Sequence, residues 1–310
     1  MTDLRSSLRG LWLPLITPFR NGELDEASLR RLVRHYAALP VNGLVVAATT
    51  GESLTLEPEE TERLVLTVRD EAGNALPVCL GLSGSNTSVL LKTLQRTAAW
   101  PIDLYLISCP YYSRPSQCGL TLHFSALADR AAHPVMLYNI PFRTGVNLGN
   151  EAMLRLADHP GIAGLKDCSA DRNQSRDLQR RRPDNFAVLT GEDAQYHEAL
   201  ADGADGGILA SAHIETETFA QIWKLMAAGE RDAALSRWLE VADLTRLLFS
   251  EPSPAPIKYR LWRTGLIESA EVRLPMTEVS RELAAGLDLE IERRLHRHSE
   301  EPTGRAMRAR

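Results

Sequence analysis

Apolar residues along this chain follow two rhythms. Short, nearly unbroken apolar runs occupy residues 11–19, 42–49, 76–83, 102–110, 133–141, 161–168, 186–193 and 204–212. Between them apolar positions recur every three or four residues, as at Leu29, Leu32, Val33 and Tyr36, and again at Phe219, Ile222, Trp223 and Met226. A consecutive apolar run suits a parallel strand covered on both faces, whereas the 3.6-residue rhythm is that of a helix with one face on a core. Eight such units predict an α/β fold closed into a (β/α)8 TIM barrel. Helix-start residues agree: Asp25 is placed to cap the first helix, Pro58 to open the second, and Asn147 to cap the fifth.

The barrel rhythm ends near residue 229. The stretches "RDAALSRWLEVADLTRLLF" and "APIKYRLWRTG" then predict a C-terminal helical segment over 230–290, packed on a barrel made by 1–229. Residues 291–310 are Arg-rich and have almost no large apolar group beyond Leu295, which predicts a disordered tail.

Composition removes several function classes. With 44% apolar and 24% charged residues and a net charge of −5, the chain has no basic excess for nucleic acid. No stretch approaches the ~18 apolar residues of a membrane helix, and the N-terminus lacks the pattern of a secretory signal. Cys79, Cys109, Cys118 and Cys168 are widely spaced, which points to a reducing, cytoplasmic setting. The eight histidines show no metal-ligand spacing and there is no phosphate-binding GKS/T loop, so neither a metal nor a nucleotide cofactor is expected.

What chemistry remains centres on "GIAGLKDCSA", residues 161–170. Strand alternation puts Ile162, Gly164, Lys166 and Cys168 on one face, and nothing on that face can pair with an ammonium. Barrel sites lie at the C-terminal strand ends, and there Lys166 joins Tyr138, Thr49, Thr50 and the loop tyrosines Tyr111 and Tyr112, with Arg143 nearby. A free lysine amine, with a pKa of about 10.4, is neutral in only about one molecule in a few thousand at pH 7; burial at an apolar strand end would make it a nucleophile. An amine of that kind condenses with a 2-oxo acid to an iminium, which activates the neighbouring methyl as a carbon nucleophile.

At these residues the chain resembles the dihydrodipicolinate synthase and N-acetylneuraminate lyase family of pyruvate-dependent Schiff-base aldolases. The resemblance runs through "TPF" (17–19), "TTGES" (49–53), "CPYYSRPSQCGL" (109–120), "LYNIPFRTG" (137–145), "GLKD" (164–167), "LTGED" (189–193) and "EPSPAPIKY" (251–259). It implies that Lys166 forms the Schiff base and that Tyr138 shuttles protons. Thr49 would link Tyr138 to Tyr112, reaching in from an adjacent subunit of a homotetramer built of dimers. Backbone N–H groups of Thr49 and Thr50 would hold the pyruvate carboxylate, Gly191 and Ile208 would line its pocket, and Arg143 would bind the acceptor's carboxylate. No cofactor is implied.

Within the family, "NIPFRTG" resembles the branch that condenses pyruvate with aspartate semialdehyde. Three positions depart from it: Ala48 precedes the threonine pair where glycine is usual, "LKDCS" replaces "IKEA", and Ser253 stands where asparagine is usual. A paralogue acting on 4-hydroxy-2-oxoglutarate, 2-keto-3-deoxy sugar acids or sialic acid is the alternative, with Ser211, His213 and Ser253 as its candidate hydroxyl partners; a non-catalytic pyruvate-binding scaffold is a second.

Overall fold

The eight apolar runs become eight parallel strands: β1 Gly10–Pro14, β2 Gly43–Val46, β3 Val78–Leu82, β4 Leu104–Ser108, β5 Val135–Asn139, β6 Ile162–Asp167, β7 Ala187–Thr190 and β8 Gly206–Ile208. In the computed structural model, which describes residues 7–300, they close into a barrel in the order β1–β8–β7–β6–β5–β4–β3–β2. Every residue of all eight is buried, which is why the runs read as continuously apolar.

The core has two shells. Trp12, Val45, Cys79, Leu106, Met136, Leu189 and Ile208 fill the barrel, while Leu11, Leu13, Leu44, Val46, Leu137 and Leu165 point outward to the helices. Filling the barrel requires close approaches, as at Gly43, where a Cβ would sit 2.4 Å from the Trp12 ring.

Helices cover the outer shell: α1 Glu26–Ala37, α2 Pro58–Ala72, α3 Thr87–Thr97, α4 Gln117–Ala128, α5 Asn150–Ala157, α6 Arg172–Arg181, α7 Tyr196–Ala201 and α8 Thr216–Ala227. The α1 helix buries Leu29, Leu32, Val33 and Tyr36, and the Asp25 carboxylate accepts a hydrogen bond from the Ser28 N–H at 3.0 Å. Pro58 opens α2 inside a reciprocal Glu57–Glu60 capping box. Asn147 does not cap α5, which starts three residues later behind Gly149; its Oδ1 instead accepts from Asn139 Nδ2 at 2.8 Å, tying the loop back to β5.

Two other expectations change. The strand β1 stops at Pro14, and Phe19, the end of its run, pairs with Leu24 in a small antiparallel hairpin, Phe19–Arg20 with Glu23–Leu24, in the loop before α1. Ile162 does not share the face of Lys166: the β5–β6 register shifts between Val135 and Met136, so Ala163 joins the barrel interior and Ile162 the outer shell.

Beyond α8 come α9 Arg231–Leu248, α10 Ala255–Arg263 and α11 Arg281–Glu300. The last of these runs ten residues into the segment expected to be disordered, while 301–310 lie outside the described residues. Leu283 and Leu287 anchor α11 in the core, and Arg294, read as part of a solvated tail, pairs with Glu215 and Glu290. No helix among the described residues is long and apolar enough to cross a membrane.

Candidate active site

The barrel's strand pairing brings the candidate residues together. Register places Tyr138 of β5 beside Lys166 of β6, and Lys166 beside Leu189 of β7. Lys166 is only 5% exposed, and its Nζ lies 4.5 Å from the centre of the Tyr138 ring. Among the described residues no carboxylate makes a close ion pair with that amine, though Glu192 and Asp193 act on it electrostatically from the same cavity. The Tyr138 hydroxyl is hydrogen-bonded to Thr49 and contacts Cys168, and burial raises its pKa well above the ordinary phenol value.

Room for the lysine comes from Gly191, just past β7. A Cβ there would lie 2.3 Å from Lys166 Cε and 2.4 Å from Cys168 Sγ, so the side chains of Lys166 and Cys168 occupy the space another residue type would fill. Thr49, Thr50, Tyr138, Arg143, Lys166, Gly191 and Ile208 all line one cavity of about 380 Å³ at the mouth of the barrel. Arg143, on the short helix Pro141–Thr144, is exposed at its rim, and among the described residues its guanidinium has no carboxylate partner.

Tyr112 stands apart. It is 93% exposed with its backbone at φ 69°, an unusual conformation for a bulky residue, and its N–H donates to the Thr144 carbonyl at 3.1 Å. It faces an adjoining groove of about 900 Å³ that also reaches Thr49, Tyr138 and Arg143. Within one chain, therefore, only the Thr49–Tyr138 half of the expected hydroxyl relay is assembled.

Reading the sequence missed the acidic pair that follows Gly191. Glu192 and Asp193 line the same cavity, and burial raises the pKa of both carboxyls, Asp193 to about 6. Asp193 also accepts the Ser211 N–H at 2.6 Å. The signal was present in "LTGED", where two carboxylates directly follow a strand-end glycine.

Ser211 and His213, two of the candidate hydroxyl partners, do not line the cavity, whereas Ser253 does. His213 is packed away from solvent, accepting the Ile16 N–H at Nε2 (3.3 Å) with Nδ1 2.8 Å from the Ala210 carbonyl. Burial pulls its pKa down to about 4.

His213 and Asp193 make the acid stability of this region a balance. Below pH ~6.5 the unfolded chain protonates its imidazole while the folded chain does not until about pH 4, so stability is lost as pH falls through that window. Asp193 acts oppositely: the folded carboxyl takes its proton near pH 6 and the unfolded one only near 3.8, so stability is gained as pH falls between them. Each contribution amounts to about 3 kcal/mol at full extent. Asp193→Asn keeps the acceptor for Ser211 and deletes the gain. Urea denaturation at pH 7 and pH 4.5 should therefore show a larger acid loss in Asp193→Asn than in the wild type; an equal or smaller loss would contradict this balance.

Among the described residues, no group of three or more His, Cys, Asp or Glu side chains is arranged to hold a metal ion. The arrangement offers a desolvated amine, a hydroxyl pair to move protons, and an unpaired guanidinium to receive an anion.

Comparison with known proteins agrees with this geometry. A 4-hydroxy-tetrahydrodipicolinate synthase of Clostridium acetobutylicum is 40% identical over 281 residues, covering 91% of this chain and 98% of that protein. The crystal structure of dihydrodipicolinate synthase from Thermotoga maritima superposes with a TM-score of 0.90 at 30% identity, over 92% of this chain and 98% of the other. A chloride-inhibited dihydrodipicolinate synthase from Acinetobacter baumannii, solved with pyruvate, gives a TM-score of 0.88 at 30% identity, covering 92% and 98% of the two chains. The model of the dihydrodipicolinate synthetase family matches residues 7–293, and the chain belongs to that family.

Proposed function

We propose that this protein condenses pyruvate with aspartate semialdehyde through a Schiff base on Lys166, as a 4-hydroxy-tetrahydrodipicolinate synthase. One observation carries the reading: a buried lysine without a carboxylate partner, beside the Tyr138 ring, on the wall of an otherwise preformed cavity. The Lys166 amine attacks the ketone carbon of pyruvate, and loss of water leaves an iminium. Loss of a methyl proton then gives an enamine, whose carbon bonds to the aldehyde carbon of the acceptor. Attack by the acceptor's own amino group on the iminium carbon closes the ring and releases Lys166.

Roles follow from position. Tyr138, backed by Thr49, carries protons at the condensing carbon, and the N–H groups of Thr49 and Thr50 hold the pyruvate carboxylate between the walls formed by Gly191 and Ile208. The structure from Acinetobacter baumannii, solved with pyruvate, supports a pyruvate-sized site in this fold. Tyr112 completes the relay from a neighbouring subunit, a role supported by its exposure and by the apolar surface of Leu54 and Phe142 around the same groove. The working assembly is a dimer of dimers, acting in the reducing cytoplasm, where the four free cysteines stay reduced.

The acceptor is tested through Arg143, whose guanidinium is free to take a carboxylate bidentately. Supplied with pyruvate and a panel of aldehydes, the enzyme should show its highest kcat/KM with aspartate semialdehyde. Arg143→Ala should lower that value about 10- to 100-fold, the worth of a charged hydrogen bond, while leaving pyruvate binding nearly unchanged. Equal use of neutral aldehydes, or no effect of Arg143→Ala, would overturn the acceptor and leave the Schiff base standing.

A further inference from the structure

The site chemistry leaves a second buried lysine unused. Lys258, on α10, is 0% exposed, and its Nζ contacts the Glu52 carboxylate and donates to the Glu271 carbonyl at 2.8 Å. Glu52 lies two residues beyond Thr50 and is itself only 5% exposed. The other Glu52 oxygen accepts the Arg273 N–H at 2.9 Å, from the loop that joins α10 to α11. Lys258 and Arg273 both stack on the Phe19 ring, at 4.2 and 4.1 Å from its centre. The Arg273 guanidinium extends the clasp, donating to Glu60, Thr55 O and Gly22 O at 2.6–2.9 Å.

Two buried charges are costly, and a well-packed apolar pair in their place is often as stable, so stability alone is a poor reason for the arrangement. What it holds is a backbone in an unusual state. Ala47 and Glu52, which bracket the turn carrying Thr49 and Thr50, both have left-handed backbones, at φ 51° and 53°. Neither is glycine, and such conformations persist where surrounding contacts over-determine them. Glu52 is therefore fixed from outside the barrel, by the C-terminal segment, at the end of the turn whose Thr49 and Thr50 line the cavity.

We propose that Lys258 and Glu52 form a positioning pair through which the C-terminal helices set the pyruvate-binding turn Thr49–Thr50. This rests on the pyruvate reading of the cavity. It makes the α10 lysine a determinant of pyruvate affinity although it touches no substrate. The appended helices then serve the site itself, in addition to covering the barrel.

The test uses Glu52→Gln, Lys258→Met and the double variant, in which neither charge is left buried alone, so that one folded protein is available even where a single variant unfolds. Each is titrated with pyruvate under borohydride, reading the half-saturation of the trapped adduct by mass, together with Tm and the kcat–KM split. The pair's role predicts a pyruvate half-saturation and KM raised about tenfold or more in every folded variant, with kcat within about threefold. The double variant should recover Tm relative to the singles and leave pyruvate binding weak. Recovered or unchanged half-saturation in the double variant, whatever its Tm, would make the pair purely structural and overturn the proposal. Absence of any adduct in the wild type would instead overturn the Schiff-base reading, and this role with it.

Discussion

Lys166→Ala should abolish the borohydride-trapped pyruvate adduct and reduce condensation to background, with the label in the wild type confined to the peptide that holds Lys166. The expectation follows from covalency, because no neighbouring group can supply the missing bond. Lys258, the other buried lysine, is held by Glu52 and Glu271 and does not line the cavity of Lys166. Lys166→Arg should fail equally, since a guanidinium stays protonated and has no amine to give. Stability should move the other way. Lys166 buries an amine among Tyr138, Cys79 and Cys168 with no close ion pair, Glu192 and Asp193 acting on it only without direct contact, so Lys166→Met, of similar length, should melt at the same temperature as the wild type or higher. Adduct formation on another peptide, or an adduct in Lys166→Ala, would refute the mechanism; a large loss of Tm in Lys166→Met would show that the amine stabilises the fold.

The site was legible wherever function sits on the strand rhythm. Lys166 and Tyr138 lie at the ends of their strands and Thr49 and Thr50 in the turn just past β2, and eight apolar runs are enough to place strand ends on one rim. Gly191 and the acceptor-binding role of Arg143 were reached through family motifs, and the geometry supplies their physical reasons: the space taken by Lys166 Cε, and a guanidinium left without a carboxylate. Simple alternation failed at Ile162, where one register shift moves a residue from the inner to the outer shell. The last helix reaches past residue 290 where Arg294 meets Glu215, 79 residues earlier in the chain, and such pairs leave no local mark. The clasp is the same case on a larger scale: Lys258 and Glu52 lie in "EPSPAPIKY" and "TTGES", both noticed, yet no periodicity announces that they touch. Tyr112 marks the remaining limit, since its left-handed backbone and exposure depend on a loop that neither rhythm describes.

Gly191→Ala should lower kcat by about 10²-fold or more while leaving the protein folded. The added methyl would sit 2.3 Å from Lys166 Cε and 2.4 Å from Cys168 Sγ, well inside van der Waals contact, so something has to move. Gly191 is not held to a left-handed φ, so alanine introduces no backbone strain, and its N–H keeps its bond to the Asp167 carbonyl at 2.8 Å. The end of a lysine side chain is the softest of these elements, and it yields first. That is a small change for the fold and a large one for the reaction, because the displaced atoms carry the nucleophile. A misplacement of about 1 Å at a reacting group costs on the order of 10²-fold. Cys168→Ala removes one of the two clashing atoms, so adding it to Gly191→Ala should return part of the lost rate, whereas a loss caused by general disorder would not respond. Near wild-type turnover in Gly191→Ala would mean that Lys166 reaches pyruvate from a different rotamer, and the amine position described here would not be the reactive one.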